Sequence, residues 1–195
     1  MKLHFRNEGD IILLLDGVQT DQSGTNSGDH NPELAREFSS SEYSKTISGI
    51  VAGQPPAIDL AAEKLLQQCM VALAASRSIQ SAHDLSDGGL AVSLAESCFA
   101  ATNLGASIEL KEKFGPAESA LFGERGARAI ISVSPSSVDA VQKIAQQHGV
   151  SAQSIGRVTG DAIFSIQYQG SAIIKESVGA LRDIWSHALE RALTR

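Results

Sequence analysis

One stretch constrains the fold of this 195-residue sequence more than any other: Ser-Ala-His-Asp-Leu-Ser-Asp-Gly-Gly-Leu-Ala-Val-Ser-Leu-Ala-Glu-Ser, residues 81–97. It opens polar, with His83, Asp84, Ser86 and Asp87 close together. Gly88-Gly89 follows, and then a nearly all-apolar run through Leu90, Ala91, Val92, Leu94, Ala95, Cys98 and Phe99. That order predicts a short strand over 80–85, a glycine turn, and a buried helix ending near Asn103-Leu104-Gly105. A glycine pair at such a junction lets backbone N–H groups face outward with no Cβ in the way. The positive end of the helix dipole lies beneath them and favours an anion. Two aspartates beside it repel a bare phosphate, so the pattern suits a phosphate bridged by Mg²⁺, with Asp84 and Asp87 as the metal carboxylates. A plainer reading fits the same residues: Asp87 caps the helix while His83 and Asp84 bond nearby backbone. Spacing alone leaves both open.

The remaining chain is organised as strands and helices around this unit. Residues 10–16 are a continuous apolar run between Gly9 and Gly17, the pattern of a strand buried on both faces. Residues 19–37 hold almost no apolar side chain and predict a long polar loop, about 18–38. A short helix over 39–48 carries Tyr43 and Lys45. Asp59, just after Gly53-Gln54-Pro55-Pro56, is placed to cap a helix running to Ser76. Its apolar stripe comprises Ala62, Leu65, Leu66, Cys69, Met70 and Leu73.

Further strands are predicted at 105–110, 129–133, 154–158, 162–168 and 171–174, with a helix from Pro135 to a stop at Gly149. A last helix over 178–193 places Leu181, Ile184, Trp185, Ala188, Leu189 and Ala192 on one face, with Trp185 as a packing anchor. The economical architecture is α+β: one domain spanning 1–195, a mixed β-sheet covered by α-helices.

Composition narrows the function classes. The formal net charge is −6 and no Lys/Arg cluster offers a phosphate-tracking stripe, so no nucleic-acid partner is expected. No signal peptide or membrane-length apolar run occurs, so no membrane is expected either. Cys69 and Cys98 fall on apolar helical faces and read as buried thiols of a reducing compartment, placing the protein in the cytoplasm. His83 with Asp84 and Asp87 lacks the Gly-x-Ser-x-Gly element of a hydrolase. The other histidines and the cysteines lack zinc-ligand spacing, and neither a Walker nor a Rossmann glycine pattern is present.

The run from Ala82 to Glu96, His-Asp-Leu-Ser-Asp-Gly-Gly-Leu-Ala-Val at its centre, closely resembles the last domain of phosphoribosylformylglycinamidine synthases. Residues 9–14, Ser41-Glu42-Tyr43, residues 53–63, Leu121-Phe122-Gly123-Glu124 and Ile155-Gly156-Arg157-Val158 agree in order, so the resemblance covers nearly the whole chain. It implies an α+β fold like the C-terminal domain of aminoimidazole ribonucleotide synthetase. It also implies membership of an ATP- and glutamine-dependent ligase of purine biosynthesis, which amidates formylglycinamide ribonucleotide. Such enzymes pair two nucleotide-binding halves with two C-terminal-type halves, and this chain resembles the second C-terminal-type half.

By that resemblance the phosphate or nucleotide site comprises His83, Asp84, Ser86, Asp87, Gly88, Gly89, Glu124 and Arg128, with Asp84 and Asp87 as metal ligands. The implied cofactors are ATP or ADP and Mg²⁺, at a composite site shared with the remaining domains of the synthase. A glutaminase partner or domain is implied in the complete enzyme. In the family the catalytic magnesium aspartate belongs to the earlier C-terminal-type half, and the second site of bacterial members holds a structural nucleotide. No catalytic residue is therefore expected in this chain, which alone is expected to be inactive.

Two departures stand out. Ser39-Ser40 replaces the family's usual Gly-Gly before Ser-Glu-Tyr, and the 19–37 insertion is long. Glu42 and Tyr43 are accordingly expected to make a domain contact. The alternatives are a non-catalytic docking domain, or a domain of another ATP-using relative such as selenophosphate synthetase, a hydrogenase maturation factor or thiamine monophosphate kinase.

Overall fold

Ile11–Asp16 forms β1, an interior strand of a seven-stranded sheet in a computed structural model that describes residues 2–18, 36, 38, 40–100, 103–111 and 115–194. The polar segment expected at about 18–38 lies almost wholly outside the described residues. Every side chain of β1 is apolar until Asp16, so neither face of the strand suits water. Accordingly Ile12 packs into one core cluster, while Leu13 and Leu15 pack into a second on the opposite face. Each such buried side chain contributes about 1.5–3 kcal/mol.

The other strands are β2 (Ser81–Asp84), β3 (Gly105–Leu110), β4 (Arg128–Val133), β5 (Ser151–Thr159), β6 (Ile163–Tyr168) and β7 (Ser171–Ser177). They lie in the order β2-β4-β1-β5-β3-β6-β7, antiparallel except for the parallel pair β3/β6. Seven α-helices are described: α1 (Glu42–Ser48), α2 (Leu60–Ser76), α3 (Gly89–Cys98), α4 (Ala117–Phe122), α5 (Val138–Gln147), α6 (Val178–Ser186) and α7 (Ala188–Leu193). Leu66, Cys69 and Leu73 of α2 and Val141 and Ala145 of α5 cover one face of the sheet. Leu90, Ala91, Leu94 and Cys98 of α3 cover the other, with Leu121 of α4. The α+β class expected from the sequence is the one observed.

Local chemistry accounts for several boundaries. Asp59 caps α2 as predicted, its Oδ1 accepting from the amides of Ala61 and Ala62 at 3.0 Å each. Both cysteines are free and buried, and desolvation pushes their thiols up to about 11 for Cys69 and about 12 for Cys98. They are inert packing groups.

Other expectations need correction. Helix α3 ends at Cys98, several residues early. The C-terminal helix is two helices meeting at His187. Trp185 is 55% exposed and no core anchor; its ring lies 5.5 Å from Phe99 and its Nε1 donates to Glu96 at 2.7 Å.

Only three residues separate β5 from β6, yet these strands are not neighbours: β3 lies between them. The connection passes over the start of β3, where a Cβ on Gly105 would sit 2.2 Å from the carbonyl oxygen of Ile163. Only glycine fits under that crossing.

Candidate glycine-loop site

Strand β2 delivers the polar half of the motif at the edge of the sheet. It pairs with β4, His83 opposite Ile130 and Asp84 opposite Ala129, and its Ser81 hydroxyl lies 2.6 Å from that of Ser132 in the buried interior. Beyond the strand the residues alternate in exposure: Leu85 is buried, Ser86 and Asp87 face solvent, and Gly88 and Gly89 are buried again. The side chain of Asp84 is 77% exposed. Asp84, Ser86 and Asp87 are thus exposed in the turn that leads into α3, with Oδ1 of Asp84 3.6 Å from Nδ1 of His83.

The glycines serve packing first. Gly88, at the N-cap position, has φ +79° and Gly89 has φ +64°, both in the left-handed region. A Cβ on Gly89 would lie 2.7 Å from the oxygen of Gly123 and 2.9 Å from that of Leu121. The pair thus lets α3 press against the backbone of the 121–123 segment. Asp87 does not cap the helix, because Gly88 takes that position with no side-chain cap.

The amides differ from expectation too. Gly88 N–H donates to Oε1 of Glu124 at 2.8 Å, and Gly89 N–H to the carbonyl of Ser86 at 3.0 Å. Neither faces outward unpartnered, because the turn folds back on a carboxylate remote in sequence.

The segment 121–128 is the hub that the sequence reading underweighted. Oε1 of Glu124 also accepts from the amide of Glu42, at 2.8 Å, and so ties α1 to the start of α3. Arg125 forms a two-pronged ion pair with Asp16 at the end of β1, its Nη1 3.0 Å from Oδ1. The amide of Ala127, itself at φ +55°, donates to Oε1 of Glu63. Arg128, only 9% exposed, donates to the carbonyls of Gly123 at 2.8 Å and Arg125 at 3.3 Å. Tyr43 stacks on Phe122 with ring centroids 4.4 Å apart. Glu42 and Tyr43 thus contact the 122–124 turn of their own chain.

His83 is the member turned inward. Its side chain is 10% exposed, with Nδ1 2.7 Å from the carbonyl oxygen of Asp84 and Nε2 3.2 Å from Oε2 of Glu96. Glu96 in turn accepts from Trp185, so His83 is braced through α3 to α6.

Of the eight site residues expected from the sequence, the structure gathers all around the α3 N-terminus but in two roles. Asp84, Ser86 and Asp87 are open to a ligand. Gly88, Gly89, Glu124 and Arg128 hold one another, and His83 holds Glu96. Asp16, Glu42, Glu63, Glu96 and Arg125 complete the arrangement and were not singled out as site residues. Glu42, Glu63 and Glu96 sit in stretches that carried the family resemblance, the one signal that pointed to them. Among the described residues no group of three or more His, Cys, Asp or Glu side chains is arranged to hold a metal ion.

A mixed sheet helix-covered on both faces, with a glycine–aspartate turn leading into its buried helix, makes this an α+β domain. The chain belongs to the family described as AIR synthase related protein, C-terminal domain, whose sequence profile matches residues 7–169. It is 38% identical over 193 residues to the phosphoribosylformylglycinamidine synthase subunit PurL of Caldanaerobacter subterraneus, covering 99% of this chain. It is likewise 38% identical over 191 residues to the PurL subunit of Prochlorococcus marinus, covering 95% of this chain. The resemblance to these synthases is thereby borne out. The chain spans about a quarter of the length of the curated relatives it matches, 24% and 23% in these two cases.

Solved structures agree on the fold. Thermotoga maritima PurL complexed with FGAR superimposes with a TM-score of 0.72 at 19% identity, over 93% of this chain and 29% of the other. The same protein complexed with ATP gives 0.66 at 19% identity, over 93% and 27%. No helix among the described residues is long and apolar enough to cross a membrane.

Proposed function

We propose that this chain is a domain of a phosphoribosylformylglycinamidine synthase, the ATP-dependent ligase that amidates formylglycinamide ribonucleotide in the cytoplasm. It contributes the glycine–aspartate loop to a nucleotide cleft completed by the remaining domains, with a glutaminase domain or partner supplying ammonia. The observation that carries the reading is the exposure of Asp84, Ser86 and Asp87 in the turn just before α3. Relatives at this identity are synthase subunits, and a solved protein of the same fold is complexed with ADP. Asp84 and Asp87 would hold Mg²⁺, which neutralises phosphate charge beside two carboxylates. His83, Glu124 and Arg128 keep the loop in place, and this chain alone supplies no catalytic residue.

A second reading is a purely structural docking domain. It is favoured by the hydrogen bonds of Gly88 and Arg128, which are made inside the chain. Calorimetric titration of Mg-ADP separates the two, first into this chain and then into this chain with the missing domains supplied. Heat in the mixture that Asp87→Ala abolishes supports the nucleotide loop. A variant that lowers the melting temperature yet binds as the parent does supports the docking domain.

A further inference from the structure

The last two helices lie beyond residues 7–169, the part of the chain that the family profile matches. Helix α6 is anchored by the buried Val178 and the half-buried Leu181, and from Arg182 onward every described residue is exposed. Helical bonding continues on both sides of the joint at His187. Its amide donates to the carbonyl of Asp183 at 3.2 Å, and its carbonyl accepts from the amide of Arg191 at 2.9 Å. The pair therefore projects as one rod with a single irregular residue. Trp185, Leu189 and Leu193 recur every four residues along it, 55%, 73% and 78% exposed. Beside them run Arg182, Ser186 and Glu190, also four residues apart. Asp183 pairs with Arg191, whereas Arg182 and Glu190 have no ionic partner among the described residues. A six-residue helix exposed along its whole length, as α7 is, is marginal in water.

We propose that this stripe is a homodimer interface, in which α6–α7 of one copy packs antiparallel against the same helices of a second copy. A two-fold axis at Ser186 satisfies the charges as well as the apolar surface. It sets Arg182 of each copy opposite Glu190 of the other, since both lie four residues from the axis on one flank. The same register seats Trp185 between Trp185 and Leu189 of the second copy, as side chains of paired helices interdigitate. Its indole keeps the bond to Glu96 and offers its outer face. A charge pattern that is its own complement when reversed favours a second copy over an unrelated partner. The covered area is on the order of 1,000 Å² over both copies, the lower end for a specific interface. Dissociation is accordingly expected on the order of 10 µM.

The test follows sedimentation and the emission of Trp185, the single tryptophan, from about 1 to about 300 µM chain, a range that brackets this constant. The mass is expected to rise to that of a dimer while the emission shifts blue as the indole leaves water. Leu189→Glu, at an exposed position that leaves the fold intact, is expected to weaken association about a hundredfold. Arg182→Glu is expected to weaken it about tenfold, and adding Glu190→Arg to the same chain restores it by reversing both pairs. A chain that stays monomeric throughout overturns the dimer, and so does a dimer indifferent to Leu189→Glu. A double variant no better than Arg182→Glu alone overturns the antiparallel pairing. A monomer whose Trp185 emission shifts only when the missing domains are supplied assigns the stripe to those domains and overturns the proposal.

Discussion

Helices α2 and α3 begin in opposite ways. Helix α2 is capped from its own sequence by Asp59, whose carboxylate reaches the amides two and three residues on. At the start of α3, by contrast, no local side chain caps the turn, and the Gly88 amide is held by Glu124, 36 residues away. A local cap stabilises one helix and nothing else. A remote one makes the helix start depend on the position of another segment.

The comparison is most severely tested at Gly89. Alanine there meets both a left-handed backbone and the carbonyls of Gly123 and Leu121 closer than 3.0 Å, so α3 and the 121–128 segment must separate. We expect Gly89→Ala to cost about 3 kcal/mol or more, read by urea denaturation. A cost below about 1 kcal/mol means that the close approach is not needed and the remote cap is incidental.

The two caps themselves give the next contrast. Glu124→Ala is expected to lose about 2 kcal/mol, since each bond to a charged acceptor exceeds a neutral one. Asp59→Ala is expected to lose about 1 kcal/mol. Hydrogen exchange separates them more sharply than stability does. Glu124→Ala should expose the amides of Gly88 and Glu42 together, on two different helices. Asp59→Ala should expose only those of Ala61 and Ala62. Deprotection of Gly88 without Glu42 breaks the shared-oxygen account.

The same division explains what could be read from the sequence. Asp59, the apolar stripe of α2, the two-faced strand β1 and the Gly-Gly turn are local patterns, and each was legible. The order β5-β3-β6 was not, because a short turn signals adjacency and only the absent Cβ of Gly105 records the strand that passes beneath. The family resemblance singled out Glu124, but its partners were not legible, since nothing in the spacing links it to Gly88 and Glu42. Trp185 illustrates the reverse error. Helical periodicity placed it on a buried face, yet α6 lies at the margin of the core, and its indole is held through a polar bond to Glu96 instead.

The smallest effect belongs to a local carboxylate at the crossing turn. Oδ1 of Asp161 accepts from the hydroxyl of Thr159 at 2.7 Å and from the amide of Ile163 at 3.1 Å. These two bonds, the hydroxyl first, hold its carboxyl below the ordinary value of 3.8. A carboxylate depressed in the folded state stabilises above its unfolded value, and that contribution is lost as pH falls through the folded one. Parent stability should therefore slope downward below about pH 4 more steeply than that of Asp161→Asn. The two curves should stay parallel at neutral pH, because the asparagine oxygen can still accept and the turn is exposed. If the acid limbs coincide, the carboxylate is not what fixes the turn, and the steric demand at Gly105 must set the crossing alone.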